Sequence, residues 1–380
     1  MSKNKRKIGI VTWFGSYNIG TNLQAYALAS VLKSLGFEAA LLHLVVNPEK
    51  RSSLAHRIYL CFRRVLMLFR PQARYVLFDI PDRQRYQNTY RFLKNNTKVY
   101  ELDTFRKYDH YSDCFCCAIS GSDQIWNPYY VNDYHLLSFS KNKIAYSSSL
   151  GVSVIPDDKQ AKYLQHLPSF QSIAVRENTG NKLLRELLHR DDIQTVLDPV
   201  FLLSAAQWST LADDAHLPLS FSQEKFILCY LVGENDYYAS QVKAISNALG
   251  IARVCVVTAR ANRANHIEGE YCEWAGPAEF LALKRRAAYV VTDSFHCSVL
   301  SLIMHKDFVA LTRFRVDDPK SQNSRMTDLL SKFGLLNKLY QDDGFAWQQR
   351  IDFALVDAIL AQEKTVSLNY LTKALKPYER

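Results

Sequence analysis

Residues 290–303 read VVTDSFHCSVLSLI, in which Asp293, Ser294 and His296 separate two apolar runs. A carboxylate, a hydroxyl and an imidazole in that position form either a solvated turn or a site at the end of a buried strand. If Ser294 caps a helix starting near Phe295, His296 falls in its first turn, beside backbone N–H groups without partners. Such a terminus attracts phosphate or carboxylate, and a histidine there can donate to an anion or move a proton. A solvent-facing histidine is the plainer alternative.

Four other candidate strands end in polar residues. The first leads to Asn18 and Gly20. A second leads to Ser122, Asp123, Gln124 and Trp126, a third to Ser148, Ser149 and Gly151, and a fourth to Arg176, Glu177 and Asn178. One polar strand end means little; five make a lined cleft, because ligands of open parallel sheets bind at the carboxyl ends of strands. Each has a plainer reading as well. Asn18 and Gly20 suit a tight turn, since the fuller Gly-x-Gly-x-x-Gly pattern is absent. Asp123 suits a helix cap, Arg176 an ion pair with a surface acid, and Arg325 a solvated loop. Asp198-Pro199 reads as a turn.

The elements that must carry these residues alternate between strand-like and helical runs. KIGIVT (7–12) is a strand, and residues 21–36 place Leu23, Ala27, Leu28, Val31, Leu32 and Leu35 at helical spacing before EAALLHLV. That opening predicts a parallel, doubly wound sheet. Further strands are expected at 116–120, 143–148, 172–176 and 195–200. A second series has strands at 225–232, 252–258 and 289–293, with helices near 236–249 and 277–287. The polar stretch 204–224 reads as a linker. The expected domains are therefore 1–208, with a basic helical insertion near 45–110, and 209–380, with its final helices free to pack back on the first domain.

A chain of 380 residues suits two domains, and 48% apolar with 22% charged residues is a globular composition. No window is apolar enough to span a bilayer, and the basic start lacks a cleavage site, so a cytoplasmic protein is expected. The eight cysteines read as reduced and structural, and the CFCC run at 114–117 lacks a second pair at zinc spacing. The net charge of +10 points to an anionic partner, and no nucleic-acid signature is present. Residues 51–74 interleave six arginines with apolar residues. That pattern fits either an ordinary packed helix, the favoured reading, or a helix resting peripherally on the inner face of an anionic membrane.

Together, NIGTNLQAYAL (18–28), SGSDQIWNP (120–128), YSSSLG (146–151), SIAVREN (172–178), VLDPVFLL (196–203), the stretch 276–303 and SRMTDLLSKFGL (324–335) resemble the polysaccharide pyruvyl transferase family. The resemblance implies an α/β chain with two Rossmann-like domains facing across a cleft, as in GT-B enzymes. It further implies transfer of a pyruvyl group from phosphoenolpyruvate to sugar hydroxyls, forming a ketal on a surface polysaccharide or its lipid-linked unit. No cofactor or metal is implied beyond phosphoenolpyruvate as co-substrate. Carried onto this chain, the family's donor-binding arginine-and-histidine set falls on Arg176, Arg325 and His296. Beside it, His296 is expected to act catalytically as acid or phosphate ligand, Asp123 as catalytic base or acceptor-binding residue, and Ser294 on the donor side. Asn18, Gly20, Ser122, Gln124, Trp126, Ser149 and Glu177 would line the cleft and receive the acceptor. Many relatives carry an arginine just before the histidine, where this chain has Phe295. The competing readings are a GT-B glycosyltransferase using a nucleotide sugar and a non-catalytic scaffold of a glycan assembly complex.

Overall fold

Strand β1 (Lys7–Val11) carries apolar side chains on both faces, as a central strand covered by helices on either side requires. The structure is a computed structural model that describes residues 6–45, 58, 61–62, 83–103, 114–259, 265–314, 321–342 and 344–379. The first sheet adds β2 (Glu38–Val45), β3 (Val99–Asp103), β4 (Cys117–Ser120), β5 (Lys143–Ser148), β6 (Ser172–Val175) and β7 (Gln194–Thr195). Its order is β3-β2-β1-β4-β5-β6-β7, and every pairing is parallel. The second sheet joins β8 (Ile227–Leu231), β9 (Val254–Thr258), β10 (Glu270–Tyr271), β11 (Tyr289–Thr292) and β12 (Phe308–Ala310) in the order β10-β9-β8-β11-β12, again all parallel. Both are Rossmann-like, and each changes winding direction beside its first strand, where ligand crevices form.

The helices in chain order are α1 (Ile19–Ser34), α2 (Arg83–Asn96), α3 (Asp157–His166), α4 (Asn178–Leu188), α5 (Ala205–Asp213), α6 (Ser220–Gln223), α7 (Tyr238–Leu249), α8 (Pro277–Arg286), α9 (Phe295–Ile303), α10 (Ser324–Lys332) and α11 (Phe353–Leu375). Among the described residues, none is long and apolar enough to cross a membrane. One buried apolar cluster runs through both halves, from Ile8, Leu23 and Leu28 through Trp208 and Phe280 to Leu300 and Leu371. The halves are therefore joined by shared core as well as by chain.

Three expectations need correction. Residues 195–200 are not one strand: β7 ends at Thr195, and Asp198 caps a 3-10 turn, Pro199–Leu202, whose proline lacks the N–H a ladder needs. Residues 204–224 are not an open linker, and the boundary at 208/209 falls inside α5. That helix starts on a Ser204–Gln207 capping box, buries Trp208 completely and is tied to α8 through Arg285 and Asp213. The region 45–110 is not wholly an insertion, since β3 belongs to the first sheet. The basic segment 51–74 lies outside the described residues except at Ile58, Cys61 and Phe62, all exposed.

Helix α2 comes from the first half of the chain but docks on the second. Buried Arg85 donates to the carbonyls of Ala275 and Thr258, and Asn88 Nδ2 donates to the carbonyl of Trp274 at 3.0 Å. Helix α11 makes the reverse crossing. Ser367 Oγ accepts from Leu197 N at 2.9 Å, and Tyr370 Oη donates to the carbonyl of Ala145 at 2.7 Å. Arg85→Met removes charged donors from two buried carbonyls and should cost about 2–4 kcal/mol, read as a lowered midpoint in thermal unfolding. An unchanged midpoint would show that α2 is not a structural clasp.

Candidate active site

The carboxyl ends of β4, β5 and β6 meet the N-terminus of α9 and the first turn of α10 around one guanidinium. Arg176 follows β6 directly, is 6% exposed, and places Nη1 3.1 Å from Asp198 Oδ2 and 3.5 Å from Asp123 Oδ1. Its Nε lies 3.7 Å from Glu177 Oε2. The ring of Phe295 covers its other side, with the guanidinium carbon 4.2 Å from the ring centroid. A phenylalanine at this position thus serves the cation instead of replacing it.

Asp198 is the second centre. Oδ2 accepts from Ser122 Oγ at 2.9 Å as well as from Arg176, and Oδ1 accepts from Val200 N at 3.0 Å. His296 Nε2 stands 3.4 Å from the same Oδ2, within ion-pair reach but without the alignment of a hydrogen bond. Burial alone would raise the Asp198 carboxyl, yet His296 and Arg176 outweigh it and hold the group well below the usual carboxylate range. Asp123 behaves likewise: burial opposes ionisation, and His296, Arg176 and Arg325 together pull it down. Asp123 also takes a φ of 62°, a left-handed backbone found mostly at glycine and, among other residues, Asn and Asp. For Arg176, burial opposes the charge, and Asp123, Asp198 and Glu177 reverse it, so its charged form is favoured.

His296 owes its position to two helix starts. Ser294 caps α9, its hydroxyl accepting from Cys297 N at 3.4 Å, and this puts the imidazole in the first turn. Across the domain junction the ring lies on Gly20 in the first turn of α1. A Cβ at residue 20 would come within 2.7 Å of His296 Cβ and Nδ1. Glycine is therefore required there by close approach, not by a turn. Asn18 holds the junction beside it: Tyr230 Oη donates to Asn18 Oδ1 at 3.2 Å and accepts from Ile19 N at 3.1 Å.

Arg325 differs from Arg176. It lies on α10, 9% exposed, and among the described residues no carboxylate is within ion-pair distance. Its Nη2 donates to Gln322 Oε1 at 2.9 Å, and the Gln124 amide, with its oxygen turned toward it, accepts from Nε at 2.9 Å. Burial, then Arg176 and Arg313, push its pKa down to about 9. Its hydrogen-bond partners are amides, and Asp123 and Glu177 offset these effects only in part, an arrangement suited to an anion. Arg176 Nε and Nη2 and His296 Nε2 are likewise buried donors without a hydrogen-bond partner among the described residues. Arg176, Asp198, Phe295, Arg325, Asp328 and Lys332 line a solvent-open cleft. A second adjoins it and shares Phe295 and Arg325.

The structure thus brings together Asp123, Arg176, Arg325, His296, Ser294 and Ser122. Several of the other expected residues are already engaged. Ser149 Oγ donates to Glu177 Oε1 at 2.9 Å, and the backbone N–H groups of Leu150 and Gly151 bond the same oxygen. Trp126 is fully buried, its Nε1 donating to Ser120 Oγ at 2.9 Å, so it belongs to the core and not to the cleft surface. Asp198 was missed as a site residue because Asp-Pro reads as a turn. It does cap one, but the strand-end reasoning applied to its neighbours would have included it.

The family model described as polysaccharide pyruvyl transferase matches residues 18–313. No curated protein matches the chain. Among solved structures, a putative UDP-N-acetylglucosamine 2-epimerase from Listeria monocytogenes is similar at 12% identity, covering 100% of this chain and 93% of that one, with a TM-score of 0.47. A UDP-GlcNAc 2-epimerase from Neisseria meningitidis shows 10% identity over 97% and 94% of the chains, TM-score 0.48. UGT89C1 from Arabidopsis thaliana shows 10% identity over 97% and 99%, TM-score 0.48. The fold is read from the two strand orders and not from these likenesses.

Asp123 and Asp198 titrate below their unfolded values, so their ionisation favours the folded state above about pH 4, and that contribution is lost as pH falls through the depressed values. Arg176→Met removes the shared counter-charge, raises both folded values and should move the acid limb of unfolding to higher pH, followed by circular dichroism. An acid limb that stays in place would mean that Arg176 does not set these carboxyls.

Proposed function

The chain belongs to the polysaccharide pyruvyl transferase family, and from that premise we propose that it moves a pyruvyl group from phosphoenolpyruvate to two hydroxyls of a sugar in a surface polysaccharide or its lipid-linked unit. The product is a pyruvate ketal, with release of phosphate. The observation that carries this reading is the pair of buried guanidiniums, Arg176 and Arg325, lining one cavity beside His296, with Arg325 lacking a carboxylate. Phosphoenolpyruvate has a carboxylate and a phosphate close together, and planar guanidiniums suit both.

The chemistry divides among residues on the page. His296 delivers a proton to the methylene carbon, which leaves C2 cationic. Asp198, next to Nε2, stabilises the charge the imidazole carries before transfer. A sugar hydroxyl adds to C2, the C2–O bond to phosphate breaks, and a second hydroxyl closes the ketal. Two hydroxyl protons are released in all; one balances the proton taken up by the methyl group and the other leaves with phosphate. Asp123 is a carboxylate held below its usual range, which suits it to accept a hydrogen bond from the incoming hydroxyl and to face the developing positive charge. Arg176 and Arg325 neutralise the donor, and Ser294 fixes the helix terminus that faces it.

His296→Ala should lower phosphate release from phosphoenolpyruvate plus acceptor by roughly a hundredfold or more while leaving the fold intact; near-normal turnover would remove His296 from the reaction. Gly20→Ala puts a Cβ 2.7 Å from His296 Cβ and Nδ1 and displaces the imidazole, so turnover should fall together with the thermal midpoint; a variant unchanged in both would show that the close approach is not needed. The donor itself is tested by ligand-induced shifts of the unfolding temperature. Phosphoenolpyruvate should protect and a panel of nucleotide sugars should not, and the reverse result would favour a glycosyltransferase.

A further inference from the structure

Two loops leave the carboxyl ends of the adjacent strands β1 and β4, and each is fixed by fully buried amides. In the first, Asn22 Oδ1 accepts from Gly15 N at 2.8 Å while its Nδ2 donates to the carbonyls of Ser16 and Asn18. Gln24 Nε2 donates to the carbonyl of Trp13 at 2.9 Å and to Thr12 Oγ1 at the same distance. In the second, Asn127 Oδ1 accepts from Tyr129 N at 3.0 Å, while its Nδ2 has no partner among the described residues. Burying an amide is unfavourable unless it is bonded, and what Asn22 and Gln24 hold in place is the backbone that carries Trp13, whose side chain is 36% exposed.

Trp13 is also braced from the second loop. The edge of His135 meets its ring at a centroid distance of 4.7 Å. Burial pushes His135 down to about 4, so at neutral pH this is a contact between two neutral rings. The neighbouring Thr12 connects this backbone to the charged cluster by a short relay: Thr12 Oγ1 donates to the carbonyl of Ser122 at 3.0 Å, and Ser122 Oγ donates to Asp198. Trp13 thus presents a large aromatic surface, 36% exposed, beside the loop that bears Asp123.

We propose that Trp13 is the platform on which the acceptor's sugar ring stacks. This rests on the transferase reading above and names the acceptor subsite for it. One face of a pyranose presents C–H groups while its hydroxyls radiate from the rim, so a flat apolar ring orients it without competing for those hydroxyls. Tyr129 and Tyr130, 44% and 56% exposed, add ring surface on the neighbouring loop.

The test uses methyl β-galactoside, methyl β-glucoside and methyl N-acetyl-β-mannosaminide. Binding is read by saturation-transfer NMR, and phosphate release is followed with the best binder. Trp13→Ala should weaken that glycoside roughly tenfold in both readouts, leave the KM for phosphoenolpyruvate within about twofold, and be largely rescued by Trp13→Phe. Unchanged glycoside affinity in Trp13→Ala, equal losses for glycoside and donor, or a wild type that binds none of the three would overturn the platform. A wild type that binds a glycoside through Trp13 but neither binds nor consumes phosphoenolpyruvate would support the platform and sink the pyruvyl-transfer reading instead.

Discussion

A guanidinium almost sealed from water forces the arrangement of everything around Arg176. Removing such a charge from solvent costs several kcal/mol unless charges and hydrogen bonds replace the water. Three carboxylates and an aromatic face do so here, and they come from different parts of the chain: Asp123 after β4, Glu177 beside it, Asp198 after β7 and Phe295 from the second domain. Each of these must in turn be held. Ser149 and two backbone N–H groups fix Glu177, and Ser122 and Val200 N fix Asp198. The ends of four strands are thereby committed to one point before any substrate arrives, which is the preorganisation that electrostatic catalysis requires.

Arg325 is the counterpart of that satisfied pair. Its hydrogen-bond partners are amides, and burial, Arg176 and Arg313 oppose its charge more than Asp123 and Glu177 favour it. The site therefore has one cation paired with carboxylates and one bonded by amides. An incoming dianion would meet Arg325 together with the unbonded Nε and Nη2 of Arg176. The two halves of the chain meet here with little freedom, because Tyr230 bonds Asn18 and Ile19 N while His296 rests on Gly20.

Much of this was readable from residue types, and the failures have physical causes. The βα alternation, the polar strand ends and the Ser294 cap follow from periodicity and from the rule that crevices open at carboxyl ends of strands, whereas the grouping of Arg176, Arg325 and His296 came from the family resemblance. Asp198 escaped because a short polar residue before proline is a sound turn signal, and the two functions coincide at one carboxylate: Oδ1 caps while Oδ2 faces the cluster. Trp126 and Trp13 were not separable either, since both follow strands in polar company and only tertiary packing decides which is buried. The docking of α2 on the second domain is a long-range property that no local pattern reports.

That exchange of helices bears on how the protein comes into being on the ribosome. The backbone N–H of Leu197 and the carbonyl of Ala145 belong to the first domain, yet the groups that satisfy them sit at Ser367 and Tyr370. The first domain is thus synthesised long before its own completing helix. It must wait, with part of its apolar surface uncovered, through the 170 residues that separate Leu197 from Ser367. Premature release at any point in the second domain would leave both domains incomplete, so the chain matures as a single unit although its two sheets are built independently.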